Sequence, residues 1–364
     1  MSDQSTTMAE GRSAPRRPAR RNETFKAYFG TPGNTVVTLI CLVLLGLAAK
    51  AAASWLLINA VFDGAPEDCK AASGACWPYV AAKLRYMLFG IYPFDEQWRP
   101  LSATLLFIAA MAVSGIPRLW GRSLIVAWAV LLPVLFLLMA GGAFGLTEVA
   151  TSQWGGLPLS FMLTFIGLVC ALPLGILLAL ARLSKLPAIR ILAVTFIELV
   201  RGVPLISILF MASVMLPLFM PEGVTIDKLL RAQVAIILFA AAYIAEIVRA
   251  GLQALPAGQT EAAKALGLHY WQCTFLITVP QALKTVIPPL VSLFIGFFQD
   301  TTLVTIVGLL DFLNTVRTAL RDPNWQGIAV LEGYVFAAVV YFVFSALMGA
   351  YSRFLEKRFR VGHD

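Results

Sequence analysis

A single acidic residue, Asp300, interrupts the apolar stretch Thr285–Leu310. A charge at membrane depth is costly unless it is paired or hydrated, so such residues usually face a bundle interior or a water-filled path. Pro288, Pro289 and Gly296 precede it and predict a broken helix, a feature with which transporters expose backbone polar groups. We therefore predict a translocation path lined by Gln299, Asp300, Thr301 and Thr302. The alternative is a structural cap, or a helix shorter than this stretch.

A hydrophilic segment, residues 249–284, lies immediately before that stretch. Pro256 predicts the end of the incoming helix. Thr260 is placed to cap a new helix, with Glu261 where a carboxylate favours a helix N-terminus. Strong helix formers follow, and Gly267 ends them. We predict a short helix outside the membrane whose small side chains and single acid form a docking surface for another protein, the alternative being a connecting helix with an exposed glutamate.

Two acid–base pairs lie at the predicted membrane edges: Glu198 with Arg201, and Glu246 with Arg249. Residues three apart share one face of a helix, so each pair can form an ion pair. One interpretation is a gate, or a clamp on the loop at 249–284. The other is an interfacial ion pair, which contributes under about 1 kcal/mol when it is exposed.

Charged residues are rare in this sequence, so each isolated charge within an apolar run is a candidate functional residue. Of the 364 residues, 59% are hydrophobic and only 13% are charged, with a mean hydropathy of +0.80. Soluble domains carry roughly 25% charged residues, so a soluble enzyme and a long disordered protein are both excluded. The net charge of +8 does not indicate nucleic-acid binding, because the 28 Lys and Arg are spread among apolar runs. Two histidines and five scattered cysteines argue against a structural metal site.

Apolar runs predict an all-α polytopic membrane protein with about eight transmembrane helices, since about 20 apolar residues cross a roughly 30 Å hydrocarbon layer. The first run contains Lys50, whose ammonium can reach the interface by snorkelling. The eight runs are Thr35–Leu57, Pro100–Ile116, Leu124–Gly145, Leu157–Leu180, Gly202–Met220, Ala232–Val248, Thr285–Leu310 and Gly333–Ser352.

Loop charges predict the orientation of these helices. With the N-terminus inside, the inner segments hold 19 Lys and Arg and the outer segments hold eight. Both termini are then cytoplasmic, and residues 1–34, which lack a hydrophobic period, form a disordered basic tail. The outer loop 58–99 contains Cys69 and Cys76, which would form a disulfide in an oxidising periplasm. Two unpaired thiols are the alternative.

The segment that follows Pro256 resembles the EAA loop of ABC importer permeases. That signature is EAA, three residues, Gly, nine residues, then Ile-x-Leu-Pro. It matches at six positions and departs only at Val279, where the family usually has Leu. The matching residues are Glu261, Ala262, Ala263, Gly267, Ile277 and Pro280.

Flanking residues are similar to the polar amino-acid branch of these permeases. They are Ala245–Gln253, Arg201-Gly-Val-Pro-Leu205 and Asp300-Thr-Thr-Leu-Val304, although Gln299 stands where that branch commonly has Lys. The resemblance covers residues 157–360 and implies a type I permease core of five helices within 146–364. Three extra helices in 35–145 and the loop at 58–99 look like the longer permease subunit of general L-amino-acid importers.

The resemblance also implies partners. No phosphate-binding G-x-x-x-x-G-K-[ST] loop occurs in this chain, so ATP and Mg would bind to a separate cytoplasmic ABC ATPase dimer. Glu261 would pair with a basic residue of the ATPase, while Ala262, Ala263 and Gly267 permit close packing. A periplasmic amino-acid-binding protein would deliver substrate, and a second, different permease subunit is preferred over a homodimer.

The expected function is therefore amino-acid import across the bacterial inner membrane by alternating access. In this interpretation the chain is not itself an enzyme, and its partners are proteins and membrane lipid rather than nucleic acid. The alternative function is an ion-coupled secondary transporter. That function would need a self-contained ion site, for which Asp300 alone is a weak candidate.

Overall fold

The computed structural model describes residues 20–360, and within them the side chains of residues 25–358. This part of the chain is almost entirely helical, with one two-residue strand, β1, at Leu310–Asp311. The helices, in chain order, are α1 Arg20–Phe29, α2 Pro32–Ala53, α3 Pro66–Ala71, α4 Trp77–Phe89, α5 Trp98–Ser114, α6 Arg122–Ala140, α7 Gly156–Arg182, α8 Pro187–Gly202, α9 Leu205–Phe210, α10 Leu216–Leu218, α11 Lys228–Gln253, α12 Ala257–Ala265, α13 Tyr270–Gln272, α14 Val279–Thr285, α15 Ile287–Asp300, α16 Phe312–Ala319 and α17 Val330–Arg360.

Several helices are extended or joined by tighter or wider turns. A π-helical turn, Ser54–Ile58, prolongs α2, and a 3₁₀ helix, Thr301–Val307, prolongs α15. Two further π-helical segments are Met211–Met215 and Cys273–Thr278. The remaining short 3₁₀ helices are Phe94–Glu96, Pro117–Leu119 and Thr151–Gln153.

Each of the eight predicted apolar runs contains helix, but they do not all form simple spans. Among the described residues, six helices are long and apolar enough to cross a membrane: Pro32–Ile58, Arg122–Ala140, Gly156–Arg182, Lys228–Gln253, Ile287–Val307 and Val330–Arg358. A seventh candidate is a pair, Pro187–Gly202 with Leu205–Leu218, bent by 102°. The predicted run Pro100–Ile116 corresponds to α5, whose 17 residues extend about 26 Å at 1.5 Å per residue.

The main core lies between α7 and α11. Half of the residues of α11 are buried, many of them alanines, and they pack along α7. Gly175 of α7 allows this approach, because a Cβ there would lie 2.6 Å from Ile244 Cγ2. Small residues let membrane helices pack closely by van der Waals contact, where the hydrophobic effect between helices is absent. These two helices are therefore the rigid centre of the bundle.

The predicted outer loop 58–99 is a folded unit rather than an open loop. It contains α3 and α4, and α4 packs against α16 and α17. Thr315 Oγ1 donates to the Met87 carbonyl (2.6 Å), and the Cys76 N–H donates to the buried Glu332 Oε1 (2.8 Å). Cys69 and Cys76 are joined by a disulfide within this unit. We call this end of the bundle, where α7 begins, the disulfide end, and the opposite end, where α7 ends at Arg182, the coupling end.

The N-terminal region differs from the predicted disordered tail. Residues 1–19 lie outside the described residues, but Arg20–Phe29 is helical and α2 begins at Pro32. No residue of α2 is buried, so Lys50 is exposed in it. The helix is held at the disulfide end, where the Ala75 N–H donates to the Trp55 carbonyl (2.9 Å).

A short parallel pairing fixes the chain beyond α15. Leu310 and Asp311 bridge to Gly155 and Gly156, at the start of α7. Asp311 then caps α16, its Oδ2 accepting from the Leu313 N–H (2.9 Å). Burial raises the pKa of Asp311 to about 6, although the Leu313 N–H bond opposes that shift. The end of α15 is therefore tied to the rigid centre.

Candidate functional site

A sharp bend between α8 and α9 opens the bundle. Val203 is extended, with φ −109° and ψ 135°, because the residue before a proline is disfavoured in the helical region. Pro204 then caps α9. The two helices consequently meet at 102°, and a cleft forms beside them.

The cleft lies between this bend, α11 and α15, and has a volume of about 600 Å³. Most of its wall is apolar or backbone, and Arg201, Tyr243, Ser292 and Asp300 supply its polar groups. The lining residues are Arg201, Gly202, Val203, Pro204, Leu205, Phe239, Tyr243, Ser292, Leu293, Gly296, Phe297, Asp300 and Leu303. One cation and one anion thus line a mostly apolar wall, which suits a small ligand that carries both charges.

Only one of the four residues predicted to line a path lies in the cleft wall. Asp300 does so, at the C-terminal end of α15. Thr301 is turned inward, only 2% exposed, and its Oγ1 donates to the Phe298 carbonyl (2.8 Å). Gln299 is exposed and Thr302 is half-buried, outside the residues that line the cleft.

The proline pair does not break this helix, because the span continues from Ile287 to Val307. Pro288 and Pro289 occupy the first turn of α15, where a missing N–H costs nothing. The α-helical pattern instead changes to 3₁₀ at Thr301, directly after Asp300, and ends at Gly308. Asp300 therefore lies where the α-helix changes to a 3₁₀ helix, beside the cleft.

An ionic cluster at the coupling end reaches the cleft through Arg201. Glu246 of α11 contacts three guanidinium groups: Arg182 Nη1 (2.9 Å), Arg249 Nη2 (2.9 Å) and, more loosely, Arg201 Nη1 (3.8 Å). Glu198 adds a second carboxylate, 2.8 Å from Arg182 Nη1. The cluster joins α7, α8 and α11, and its members keep part of their side chains exposed.

This cluster corrects one predicted pair and adds a residue. Glu246 pairs with Arg249 as the spacing indicates, but Glu198 contacts Arg182 instead of Arg201. Arg201 turns to Glu246 and lies over the Tyr243 ring, its Cζ 5.4 Å from the ring centroid. Arg182 could not be found from spacing, because it lies on a different helix from both acids.

The predicted docking helix exists as α12 but begins earlier than expected. Pro256 is its N-cap, so Thr260 lies within the helix and the prediction of a Thr260 cap is wrong. Proline fixes its own φ near the value required at a helix start, which makes Pro256 an effective boundary. Glu261 and Ala262 are exposed, whereas Ala263 is 3% exposed, buried within the chain itself.

Gly267 has a conformational task at the end of α12. Its φ is +78°, and two hydrogen bonds close the helix: Gly267 N–H to the Lys264 carbonyl (2.9 Å) and Leu268 N–H to the Ala263 carbonyl (3.2 Å). This is a Schellman C-cap, which favours glycine at the left-handed position. The small residue therefore shapes the turn, and a side chain there would meet no neighbour.

One contact lies between the ionic cluster and the end of α11, and another holds α12 itself. Arg249 Nη1 donates to Gln253 Oε1 (2.5 Å), one turn before α12 begins. On the return path, Gln281 Nε2 donates to Gln259 Oε1 (3.2 Å). Pro280 is exposed and Ile277 half-buried, in the segment that packs against α12. Gln253, the last residue of α11, is therefore bonded to the ionic cluster, and α12 is bonded to α14.

Residues 171–361 match the family described as binding-protein-dependent transport system inner membrane component. The chain is 47% identical to the inner membrane amino-acid ABC transporter permease protein YhdY of Escherichia coli K12, over 96% of this chain and 97% of that one. It is 37% identical to the glutamate/glutamine/aspartate/asparagine transport system permease protein BztC of Rhodobacter capsulatus, over 92% of each.

A crystal structure of an amino acid ABC transporter with histidines aligns to 56% of this chain and 92% of its own chain, with 29% identity and a TM-score of 0.49. The family match covers more than half of this chain, and YhdY aligns along nearly all of it. The chain therefore belongs to the binding-protein-dependent transport system inner membrane components, as an ABC importer permease rather than an ion-coupled transporter.

Proposed function

We propose that this permease carries amino acids through the cleft beside α9, with Arg201 and Asp300 as its charged contacts. The observation that carries the proposal is the cleft of about 600 Å³ with one cation and one anion in a mostly apolar wall. An α-amino acid carries a carboxylate and an ammonium. Arginine recognises carboxylates through paired N–H donors, and a carboxylate accepts from an ammonium.

Relatives of similar length support this substrate class. YhdY is named for amino acids, and BztC for glutamate, glutamine, aspartate and asparagine. The apolar part of the cleft wall leaves room for a side chain without selecting its charge. This favours broad specificity, with selection among amino acids made by the binding protein that delivers them.

We propose that a separate ABC ATPase dimer, which binds ATP and Mg, docks on α12. Glu261 is exposed on this helix and offers a carboxylate to a basic residue of that partner. Gly267 shapes the turn that presents the helix, and Ala263 packs it onto its own chain. Docking therefore rests on Glu261 and Ala262, with the other signature residues holding α12 in place.

The ionic cluster is the proposed link between α12 and the cleft. Arg249 connects Glu246 to the last turn of α11, and Arg201 connects Glu246 to the cleft wall. A shift of α12 would change how Glu246 divides its two oxygens among three arginines. In this role the cluster acts as the gate predicted from Glu246 and Arg249, and Glu198 steadies Arg182.

The remaining parts of the assembly are also proposals. A second, different permease subunit completes the pore, and both termini of this chain lie in the cytoplasm of a bacterial cell. Residues 35–145 form an N-terminal extension, and 146–364 form the transport core. The bias of loop Lys and Arg toward the N-terminal side supports this orientation.

The cleft is tested by uptake of labelled amino acids into cells that make the complete importer. Asp300→Asn removes the anion and should lower uptake at least about tenfold, the effect of about 1.4 kcal/mol. Asp63→Asn, an exposed acid outside the cleft, is the matched control and should transport normally. Equal uptake by both variants would remove Asp300 from the path.

The docking helix is tested separately by co-purification of the ATPase. Glu261→Ala should abolish uptake and weaken retention of the ATPase, while the permease remains inserted in the membrane. Glu222→Ala, an exposed glutamate between α10 and α11, should retain both properties. Normal uptake by Glu261→Ala would contradict the coupling role without affecting the assignment of the cleft.

A further inference from the structure

The first helix, α1, precedes the first candidate span and belongs to no part of the transport site. It is ten residues long, Arg20–Phe29, and its residues carry a formal net charge of +2 from two arginines, one lysine and one glutamate. Phe25 and Tyr28 are 65% and 56% exposed. This aromatic face is therefore available to a partner other than the described protein.

The chain turns sharply between α1 and α2. Thr38 Oγ1 donates to the Tyr28 carbonyl (2.9 Å), although residues ten apart in a continuous helix are separated by about 15 Å. Asn34 Nδ2 likewise donates to the Ala27 carbonyl (3.0 Å). The C-terminal carbonyls of α1 are therefore capped by side chains on the flank of α2, and α1 meets α2 from the side.

The sequence of α2 sets the level at which this contact lies. Its first two turns carry polar Asn34, Thr35 and Thr38, and the apolar segment Leu39–Ile58 follows, with Lys50 as its one charge. Those 20 residues extend about 30 Å, the thickness of the hydrocarbon layer. The polar turns, and α1 with them, consequently lie at the level of the lipid headgroups.

The side chains of α1 suit that position. Phe25, Tyr28 and Phe29 recur at the i, i+3, i+4 spacing of one helical face, and the Phe25 and Phe29 rings stack with centroids 5.1 Å apart. Lys26 lies beside this face. Short amphipathic helices with aromatic and basic residues lie in the membrane interface, with the apolar face toward the acyl chains.

We infer that α1 is an in-plane membrane anchor whose net positive charge, with Lys26 beside the aromatic face, attracts the headgroups of anionic phospholipids. Charge complementarity selects this occupant over a zwitterionic lipid surface, since each Lys or Arg near an anionic surface strengthens binding about fivefold. The anchor holds the start of α2, a helix in which no residue is buried against the rest of the described chain.

A fluorescent probe on α1 tests the inference in the full-length protein. Cys41, Cys170 and Cys273 are replaced by alanine, the Cys69–Cys76 disulfide is retained, and Tyr28→Cys receives an environment-sensitive label. The protein is placed in nanodiscs of phosphatidylcholine alone or mixed with phosphatidylglycerol. Nitroxide on the lipid headgroups and iodide in the water report which environment quenches the probe.

With phosphatidylglycerol present, headgroup nitroxide should quench the probe strongly and iodide weakly. Arg21→Glu with Lys26→Glu should shift the surface-bound to water-exposed ratio by about 25-fold or more. The matched double reversal, Lys357→Glu with Arg358→Glu at the end of α17, changes the total charge equally and should leave the probe unaffected.

A salt titration on the unreversed protein gives a second measurement that needs no charge variant. From about 0.1 M to about 1 M salt the Debye length falls from about 10 Å to about 3 Å, so headgroup quenching should decline. Equal quenching in both lipid mixtures, or no response to salt, would overturn the headgroup assignment. Strong iodide quenching in both mixtures would instead show that α1 is exposed to water and free to bind a protein partner. That result would also overturn the headgroup assignment.

Discussion

The two helices α2 and α11 have nearly the same length and composition class but opposite environments. With the turn that prolongs it, α2 has 27 residues and mean hydropathy 2.4, and α11 has 26 residues and mean hydropathy 1.9. No residue of α2 is buried, whereas about half of α11 is. Hydropathy therefore identifies a span, but the small and polar residues determine whether it joins the core.

In α11 the polar residues have partners, and the small residues face another helix. Gln233 Nε2 donates to the Leu163 carbonyl of α7 (3.3 Å), and Glu246 gathers three arginines. Lys50, the charge in α2, is exposed among exposed neighbours. A leucine-rich surface contacts lipid chains as favourably as it contacts another helix. Packing against a neighbour would therefore stabilise α2 little.

Removing Glu246 from α11 and Lys50 from α2 should give the largest contrast. Glu246→Ala leaves three guanidinium groups without their shared carboxylate and should destabilise the protein by about 3 to 5 kcal/mol. Lys50→Ala should leave thermal stability unchanged. Thermal unfolding of both purified variants in detergent measures the difference, and equal shifts would contradict the contrast between the helices.

A change of pH should alter the stability of the packed region but not that of α2, which contains no acidic residue. The pKa of Asp311 is about 6 in the folded protein because of burial, against 3.8 when unfolded. Between these values only the folded state keeps the proton, so the stability from this group is full below pH of about 4 and is lost as pH rises through about 6.

Asp311→Asn removes this dependence. The stability of the variant relative to the wild type should rise by up to about 3 kcal/mol between pH of about 4 and about 7. Asn keeps an oxygen that can accept from the Leu313 N–H, so the cap of α16 is retained. Chemical denaturation at both ends of this range measures the difference, and parallel pH curves for the two proteins would refute it.

Matched glycine substitutions should separate the helices by steric effect alone. Gly175→Val places a branched side chain against Ile244 and should cost about 2 kcal/mol, a typical value for overpacking. Gly46→Val in α2 meets nothing within 4 Å and should be neutral. Expression level and thermal stability report both, and a loss at Gly46 would reveal a partner for α2.

Opening the disulfide should produce the smallest and most local effect. Cys69→Ser with Cys76→Ser removes a short cross-link that contributes about 2 kcal/mol. Amide exchange should rise in residues 55–77, which tether the C-terminal end of α2 to the rest of the chain. Helix α11 should stay protected. Cys170→Ser, a free cysteine on α7, is the control. Increased exchange across α11 would show that the two helices depend on each other after all.

The sequence predicted the parts of the fold that depend on local patterns. The apolar runs are helical, the EAA segment contains a short helix, and the family resemblance is confirmed. The cap of α12 was misplaced because Pro256 and Thr260 are both plausible starts in sequence, and the proline acts four residues earlier. The folded unit at 58–99 was missed because α4 is too short to register as a span.

The site could be predicted only in part, because its contacts join distant residues. Asp300 was found because an acid in an apolar run is unusual. Arg201 was assigned to Glu198 by spacing, yet the bend at Pro204 and the approach of α11 bring it to Glu246. Thr301 is turned away by the change to 3₁₀ geometry, which no pattern in that stretch indicates.

The hydrogen bond from the Cys76 N–H to Glu332 joins residues 256 positions apart. During synthesis the N-terminal part of a chain emerges first, so α2 and the unit at 58–99 lack this contact until the last span has been made. A truncated or stalled chain would therefore expose its first helices without their final contacts. Cellular quality control can recognise such an unfinished chain by the surface that α16 and α17 later cover.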